Sequence, residues 1–402
     1  MSTNAGVVSS PPGQGESPKG EGVESVRFLS PESTTPSPYP QAGPPACSGG
    51  ELPRARALSP SLPFPLSPFL LLALLLAAGG AGAQPVRVIF DTDLGPDADD
   101  AGALALLHAL ADRGEAEILG VACGTKSPWC APAADAINTY YGHPDLPVGT
   151  NKGEGPMGGS DEWYGDSFNG YVAGRFPNDT RHAEYAEDAV AMYRRLLAAA
   201  PDTSVTVVVV GSMSNPAHLL TSPPDSLSPL SGRDLVERKV RLLSVMGGAY
   251  PEGSESNFTV DAAATRALVE GWPTPIVFSG FEIGEDLLTG ARLWETPEDN
   301  PVRASYHFWD LFFARQFTPE FDPETGIWPH SSFDQTAVLV AVRGLRDYWD
   351  AVTTGHNAIN EDGTNAWRDA PDRDHAYLVE KTPREELARI LDDLMAAPPV
   401  RD

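Results

Sequence analysis

Sulfur chemistry is scarce in this sequence. Its three cysteines, Cys47, Cys123 and Cys130, form no Cys-x-x-Cys pair and have no His pair at zinc spacing, which excludes a zinc ribbon. Cys123 and Cys130 are read either as a disulfide in an exported chain or as two small residues flanking a loop. Positive charge is scarce too: 28 Lys and Arg stand against 55 Asp and Glu, for a net charge of -27. Like-charge repulsion then excludes non-specific binding to nucleic acid or anionic lipid, and points to small neutral or cationic ligands, metal ions among them. The apolar run from Leu66 to Ala78 is shorter than the ~20 residues of a spanning helix, so no stable membrane span is expected.

What is present divides the chain in three. Residues 1–62 are rich in Pro, Gly, Ser and Glu without apolar periodicity, and read as disordered. Residues 63–83 combine the apolar run, preceded by Arg54 and Arg56, with the small residues Ala81-Gly82-Ala83. That order reads as a signal peptide cleaved after Ala83, with an uncleaved anchor or a buried helix of the fold as alternatives, and predicts export to a periplasmic or extracellular space. Residues 84–402 carry the regular patterns of one folded domain, and the 41% of hydrophobic residues in the whole chain suffice for a sizeable core.

Within that domain, strands are expected at Pro85–Phe90, Ala116–Ala122, Thr203–Val210, Val240–Met246 and Thr274–Ser279. Helices are expected at Asp99–Leu110, Pro132–Tyr141, Ala186–Ala199 and Asp261–Glu270. Apolar strands alternating with helices predict an α/β fold, a mainly parallel central sheet flanked by helices. In such a sheet ligands bind beyond the carboxyl ends of the strands, here the loops after Phe90, Val210, Met246 and Ser279.

The first of those loops holds five carboxylates in ten residues, Asp91, Asp93, Asp97, Asp99 and Asp100. Such a cluster is tolerable when solvated, partly protonated or neutralised by a cation. A solvated acidic loop is the bland alternative, disfavoured by placement directly after a buried strand. Oxygen donors without His or Cys suit calcium or magnesium, and the missing closing Glu excludes an EF-hand. Ile89-Phe90-Asp91-Thr92-Asp93 also resembles the opening motif of haloacid-dehalogenase-type phosphatases, in which the first Asp is a nucleophile, although Leu94-Gly95 departs from that motif.

The fuller pattern Asp91-Thr92-Asp93-x-Gly95 followed by Asp99-Asp100-Ala101 resembles the signature of the inosine-uridine-preferring nucleoside hydrolases, with two extra residues before the Asp pair. Val210-Gly211-Ser212-Met213-Ser214-Asn215, Val245-Met246-Gly247-Gly248, Glu255-Ser256-Asn257-Phe258-Thr259-Val260-Asp261 and Phe333-Asp334-Gln335-Thr336-Ala337-Val338 are similar to later family motifs in the same order. Ala136–Gly142 and Phe278–Gly284 point to a less characterised bacterial branch. The resemblance implies calcium-dependent hydrolysis of an N-glycosidic bond in a nucleoside or related riboside. It implies Ca2+ held by Asp93, Asp100, the Ser214 carbonyl and Asp334, with Asp93 as general base and Asp99, Glu255 and Asn257 binding the sugar. A homo-oligomer is compatible with it.

Two departures matter. Phe333 stands where purine-cleaving relatives place a His, and Thr125-Lys126 where the family has an Asn that contacts ribose. His330 and Tyr250 are substitute candidates for protonating the leaving base, each more commonly an ordinary structural residue. The aromatics Trp129, Trp163, Tyr164, Phe168 and Tyr171 are read as loop packing or as a stacking platform. Asn178-Asp179-Thr180 and Asn257-Phe258-Thr259 are glycosylation sequons in a eukaryotic secretory route, and a glycan on Asn257 would block the site. A calcium-dependent binding protein without catalysis is the nearest rival reading, and a dehalogenase-type phosphatase the third.

Overall fold

The computed structural model describes residues 84–95, 97–156, 168–314, 320–371 and 373–400. The expectations for residues 1–62 and 63–83, and for Trp163 and Tyr164, lie outside those residues. In chain order the first half contains β1 (Val86–Thr92), α1 (Asp99–Asp112), β2 (Ala116–Cys123), α2 (Cys130–Tyr140), β3 (Val148–Thr150), α3 (Phe168–Arg175), β4 (Glu187–Asp188), α4 (Ala189–Ala199) and β5 (Val205–Val209). The second half contains α5 (Ser214–Thr221), α6 (Gly232–Lys239), β6 (Val240–Met246), β7 (Glu252–Gly253), α7 (Ala262–Gly271), β8 (Ile276–Ser279), β9 (Leu288–Thr289), α8 (Pro301–Trp309), β10 (His330–Ser331) and α9 (Asp334–Arg343). The strands β11 (Trp349–Val352), β12 (His356–Ile359), β13 (Asn365–Arg368) and β14 (His375–Glu380) and the helix α10 (Arg384–Met395) close the chain.

Nine strands form the main sheet in the order β11-β14-β8-β6-β5-β1-β2-β3-β4. Every pairing in it is parallel except β11 with β14. The fold is therefore α/β with a mainly parallel sheet. Its central strands are buried on both faces: Val88 and Phe90 enter one core and Ile89 the other, and Val208 separates in the same way from Val207 and Val209. That two-sided burial is why β1 and β5 read as continuous apolar runs rather than alternating ones.

From β1 the chain winds outward through β2, β3 and β4, then returns to the other side of β1 and winds through β5, β6, β8 and β14. The carboxyl ends of β1 and β5 thus flank the point where the winding reverses, the place in such sheets where a crevice opens. On one side of it α1 packs against α9 and α10. Gly102 permits that approach, because a Cβ there would lie 2.5 Å from the Tyr306 hydroxyl and 2.7 Å from Gln335 Nε2.

Some boundaries differ from expectation. Ala186–Ala199 is not one helix: Glu187 and Asp188 pair with β3 as an edge strand, and Asp188 caps α4 by accepting from the Ala191 N–H at 2.9 Å. The strand expected from Thr203 starts at Val205, since Thr203 turns through a positive φ of 52°. Cys123 and Cys130 are joined by a disulfide that ties the end of β2 to the start of α2. Among the described residues no helix is long and apolar enough to cross a membrane.

Candidate active site

The turn after β1 is shaped by its own carboxylate. Asp100, in the first turn of α1, reaches back so that Oδ1 accepts from the Thr92 hydroxyl and, at 3.1 Å, from the Leu94 N–H, while Oδ2 accepts from the Gly95 N–H at 3.2 Å. Those bonds hold Leu94 at φ 48° and Gly95 at φ 149°, positions that cost a side-chain-bearing residue roughly 1–3 kcal/mol. The chain thereby turns sharply enough to set Asp93 and Asp97 beside the start of α1.

Asp334 arrives from a different direction. It opens α9, and Asp99 Oδ2 accepts from the N–H groups of Phe333 and Asp334, each at 3.0 Å. One helix start is thus locked onto another, and each brings its acidic residue to the same place. A cleft of about 170 Å³ results, lined by Asp93, Asp97, Asp99, Asp100, Glu255 and Asp334 together with Val210, Met246, Asn257, Phe281 and Phe333. The larger cavity of about 930 Å³, beside Arg175, Trp294 and Arg303, contains none of the expected residues. Size does not mark this site; convergent chemistry does.

The carboxylates are held in an unfavourable state. Burial first, and then neighbouring carboxylates, push Asp93, Asp99 and Asp334 well above the usual carboxylate range. Asp100 is raised by burial and by Asp97, against the bonds it accepts. Burial carries Glu255 up to about 7 although three N–H groups, those of Gly248, Asn257 and Phe258, donate to it. Below the cleft, Asp91 is raised to about 8 by burial, despite hydrogen bonds from the Tyr193 hydroxyl at 2.9 Å and Asn215 Nδ2 at 3.2 Å. No Lys, Arg or His lines the cleft among the described residues. Carboxyl oxygens of Asp97, Asp99 and Asp100 lie within 4.8 Å of one another, a donor set that fits a divalent metal ion.

Of the expected residues, the structure gathers Asp93, Asp99, Asp100, Glu255, Asn257 and Asp334 in this cleft. Ser214 does not reach it. Its hydroxyl donates to Asp261 Oδ2 at 2.6 Å, and as the first residue of α5 it directs its carbonyl along the helix. Val210, not Ser214, is the residue of this segment that lines the cleft. It follows the last residue of β5, and its carbonyl accepts from Asn257 Nδ2 at 3.0 Å. Gly211 gives the close approach: a Cβ there would stand 2.7 Å from the Asp93 nitrogen.

Neither substitute acid lines the cleft. His330 Nε2 is bound to Asp310 Oδ1 at 2.9 Å, with the ring between Tyr306 and Trp309. The Tyr250 hydroxyl donates to the Gly247 carbonyl at 3.3 Å and accepts from Asn357 Nδ2 at 2.9 Å, in an aromatic cluster with Phe278 and Tyr377. Trp129, Phe168 and Tyr171 pack elsewhere: Phe168 is buried, Trp129 meets His182 and Tyr171 meets Phe308. The aromatic wall is instead Phe281 stacked on Phe333, ring centroids 5.2 Å apart. Only the Phe333 substitution signalled it, since its partner follows a different strand. The phosphatase alternative expected a Lys in the shared pocket, and the cleft wall has none among the described residues.

Comparison with known proteins agrees with this geometry. The family model of inosine-uridine preferring nucleoside hydrolases matches residues 88–387. A search of curated proteins returns no match. Similar solved structures include a purine-preferring ribonucleoside hydrolase from Gardnerella vaginalis, at 19% identity and TM-score 0.57, covering 77% of this chain and 98% of that one. An inosine-uridine preferring nucleoside hydrolase from Bacillus anthracis is similar at 15% identity and TM-score 0.56, covering 77% and 99%. The type III effector protein XopQ, in a complex with adenosine diphosphate ribose, is similar at 17% identity and TM-score 0.57, covering 83% and 98%. With a buried acidic cleft at the sheet's switch point and a family match across the domain, the chain belongs to the inosine-uridine preferring nucleoside hydrolase family and is a glycosidase acting on ribonucleosides.

Proposed function

We propose that the cleft hydrolyses the N-glycosidic bond of a ribonucleoside or related N-riboside with calcium bound. The observation that carries this reading is the convergence of Asp93, Asp99, Asp100 and Asp334 with the end of β5 in one buried cleft whose wall offers no side-chain cation among the described residues. Asp93, Asp100, Asp334 and the Val210 carbonyl would hold the ion, an all-oxygen set suited to Ca2+. When bound, the metal supplies fixed positive charge that orients the sugar diol and acidifies water.

The protein groups then divide the work. Asp93 takes the proton of the attacking water as the bond from the anomeric carbon to the base breaks. Asp99 and Asn257 stand on the sugar side and fix its hydroxyls, which converts a random encounter into an oriented one. Glu255 receives sugar hydroxyls as well. By capping Asn257 and Phe258 through their N–H groups, it also holds the turn that presents Asn257. Export is part of this proposal, supported by the Cys123–Cys130 disulfide.

The test is release of free ribose from a panel of nucleosides, with calcium and with chelator. Calcium-dependent ribose release supports the reading. No release from any nucleoside, nor from the activated substrate 4-nitrophenyl riboside, overturns it.

A further inference from the structure

Bond cleavage in a neutral nucleoside leaves electrons on the base that a proton must meet, and the acids that line this cleft among its described residues are six carboxyl groups, five of which the reading above gives to metal and sugar. Its described residues include no His, Lys, Arg, Tyr or Cys. The nearby imidazole of His330 is committed to Asp310, and the Tyr250 hydroxyl to Gly247 and Asn357. Where a donor would stand, Phe333 presents a ring, and Phe281 stacks on it at 5.2 Å with 37% of its surface exposed. Six carboxylates surround this space. A single divalent ion offsets two negative charges, so the ionised cleft keeps an excess that favours a cation.

Carboxylates below and an aromatic face at the wall together suit a planar cation: the first attract its charge and the second its face. We propose that the preferred substrate is an N-riboside whose base carries positive charge on the glycosidic nitrogen, as in a pyridinium riboside. The proposal rests on the reading of the cleft as an N-riboside hydrolase. In such a substrate the pair of the breaking carbon–nitrogen bond returns to the ring nitrogen, and the base departs neutral with no proton supplied. Water forms the new bond to the anomeric carbon, its proton passes to Asp93 and then to solvent, and the products are ribose, neutral base and one proton. Such a substrate needs no proton at the step for which the described wall of the cleft has no His, Lys or Tyr.

The experiment compares kcat/KM of the calcium-loaded full chain for nicotinamide riboside, a pyridinium riboside, with inosine and uridine, using 4-nitrophenyl riboside as an activated control. A general acid contributes roughly 10²–10⁴-fold, so nicotinamide riboside is expected to exceed both neutral nucleosides by at least ~100-fold. Added salt should lower the value for the cation several-fold and leave inosine nearly unchanged. Phe333→His should raise inosine cleavage by at least ~10-fold and narrow the ratio. Inosine or uridine cleaved within ~100-fold of nicotinamide riboside, or a ratio unmoved by salt and by Phe333→His, overturns this proposal and leaves the hydrolase reading standing. No ribose from any of the four compounds overturns both.

Discussion

Arg194 is 2% exposed, and all three guanidinium nitrogens have partners: Asp225 at 2.7 and 2.9 Å, Ser222 Oγ at 2.9 Å, and the carbonyls of Ser228 and Leu230 at 3.1 and 3.0 Å. Its charge is answered entirely from within the chain, and the Arg194 bond holds Asp225 down at about 2. The cleft buries charge in the opposite way, with Asp93, Asp99, Asp100 and Asp334 facing one another and forced toward their protonated forms. The contrast separates two uses of a buried ion. Where the fold supplies the counter-charge the group is structural, and where it withholds it the missing partner comes from outside.

Four experiments break or sharpen that contrast. Asp93→Asn should cut kcat/KM by about 10²–10⁴-fold with little change in melting temperature, because it removes a base from a site the fold does not need. Asp100→Ala or Asp334→Ala should weaken calcium affinity by more than ~100-fold in calorimetric titration, beyond what outer-shell partners contribute. Arg194→Ala should do the reverse, costing about 2–3 kcal/mol in denaturant unfolding while the folded fraction keeps its activity.

The last of the four is a pH dependence. In the metal-free protein burial pushes the Asp91 carboxyl up to about 8 and that of Glu255 up to about 7, from the 3.8 and 4.5 of freely solvated groups. The folded state therefore binds more protons than the unfolded one between those limits, and its stability falls as pH rises. The chelated protein should be most stable near pH 4 to 5 and lose melting temperature toward pH 8. Calcium should restore it, by about 2.7 kcal/mol at a hundredfold excess over Kd. A melting temperature that rises with pH under chelator would show that the buried acids are already neutralised.

Local order was the easiest thing to read. The turn from Asp91 to Asp100 follows one strand and opens one helix, so its carboxylates announce themselves within ten residues. Asp334 was reachable only through its resemblance to a distant motif, because nothing local says that α9 begins beside α1. Val210, the carbonyl ligand proposed above, escaped because a backbone oxygen has no side-chain signature; its position at the end of β5 was the usable signal. Phe281 escaped because stacking across two loops is a tertiary fact. The strands β11 to β14 were not foreseen either, being short, partly exposed and joined by turns that hide their period.

Asn257 also has a consequence for how the protein is produced. Its amide nitrogen donates to the Val210 carbonyl inside the folded cleft, yet Asn257-Phe258-Thr259 is an acceptor sequence while the chain is still unfolded. In a glycosylating host the sugar would be attached before that bond could protect the nitrogen. Material from such a host should be heavier and inactive, and the same chain from a bacterial host active, so the choice of expression system is itself a reading of the site.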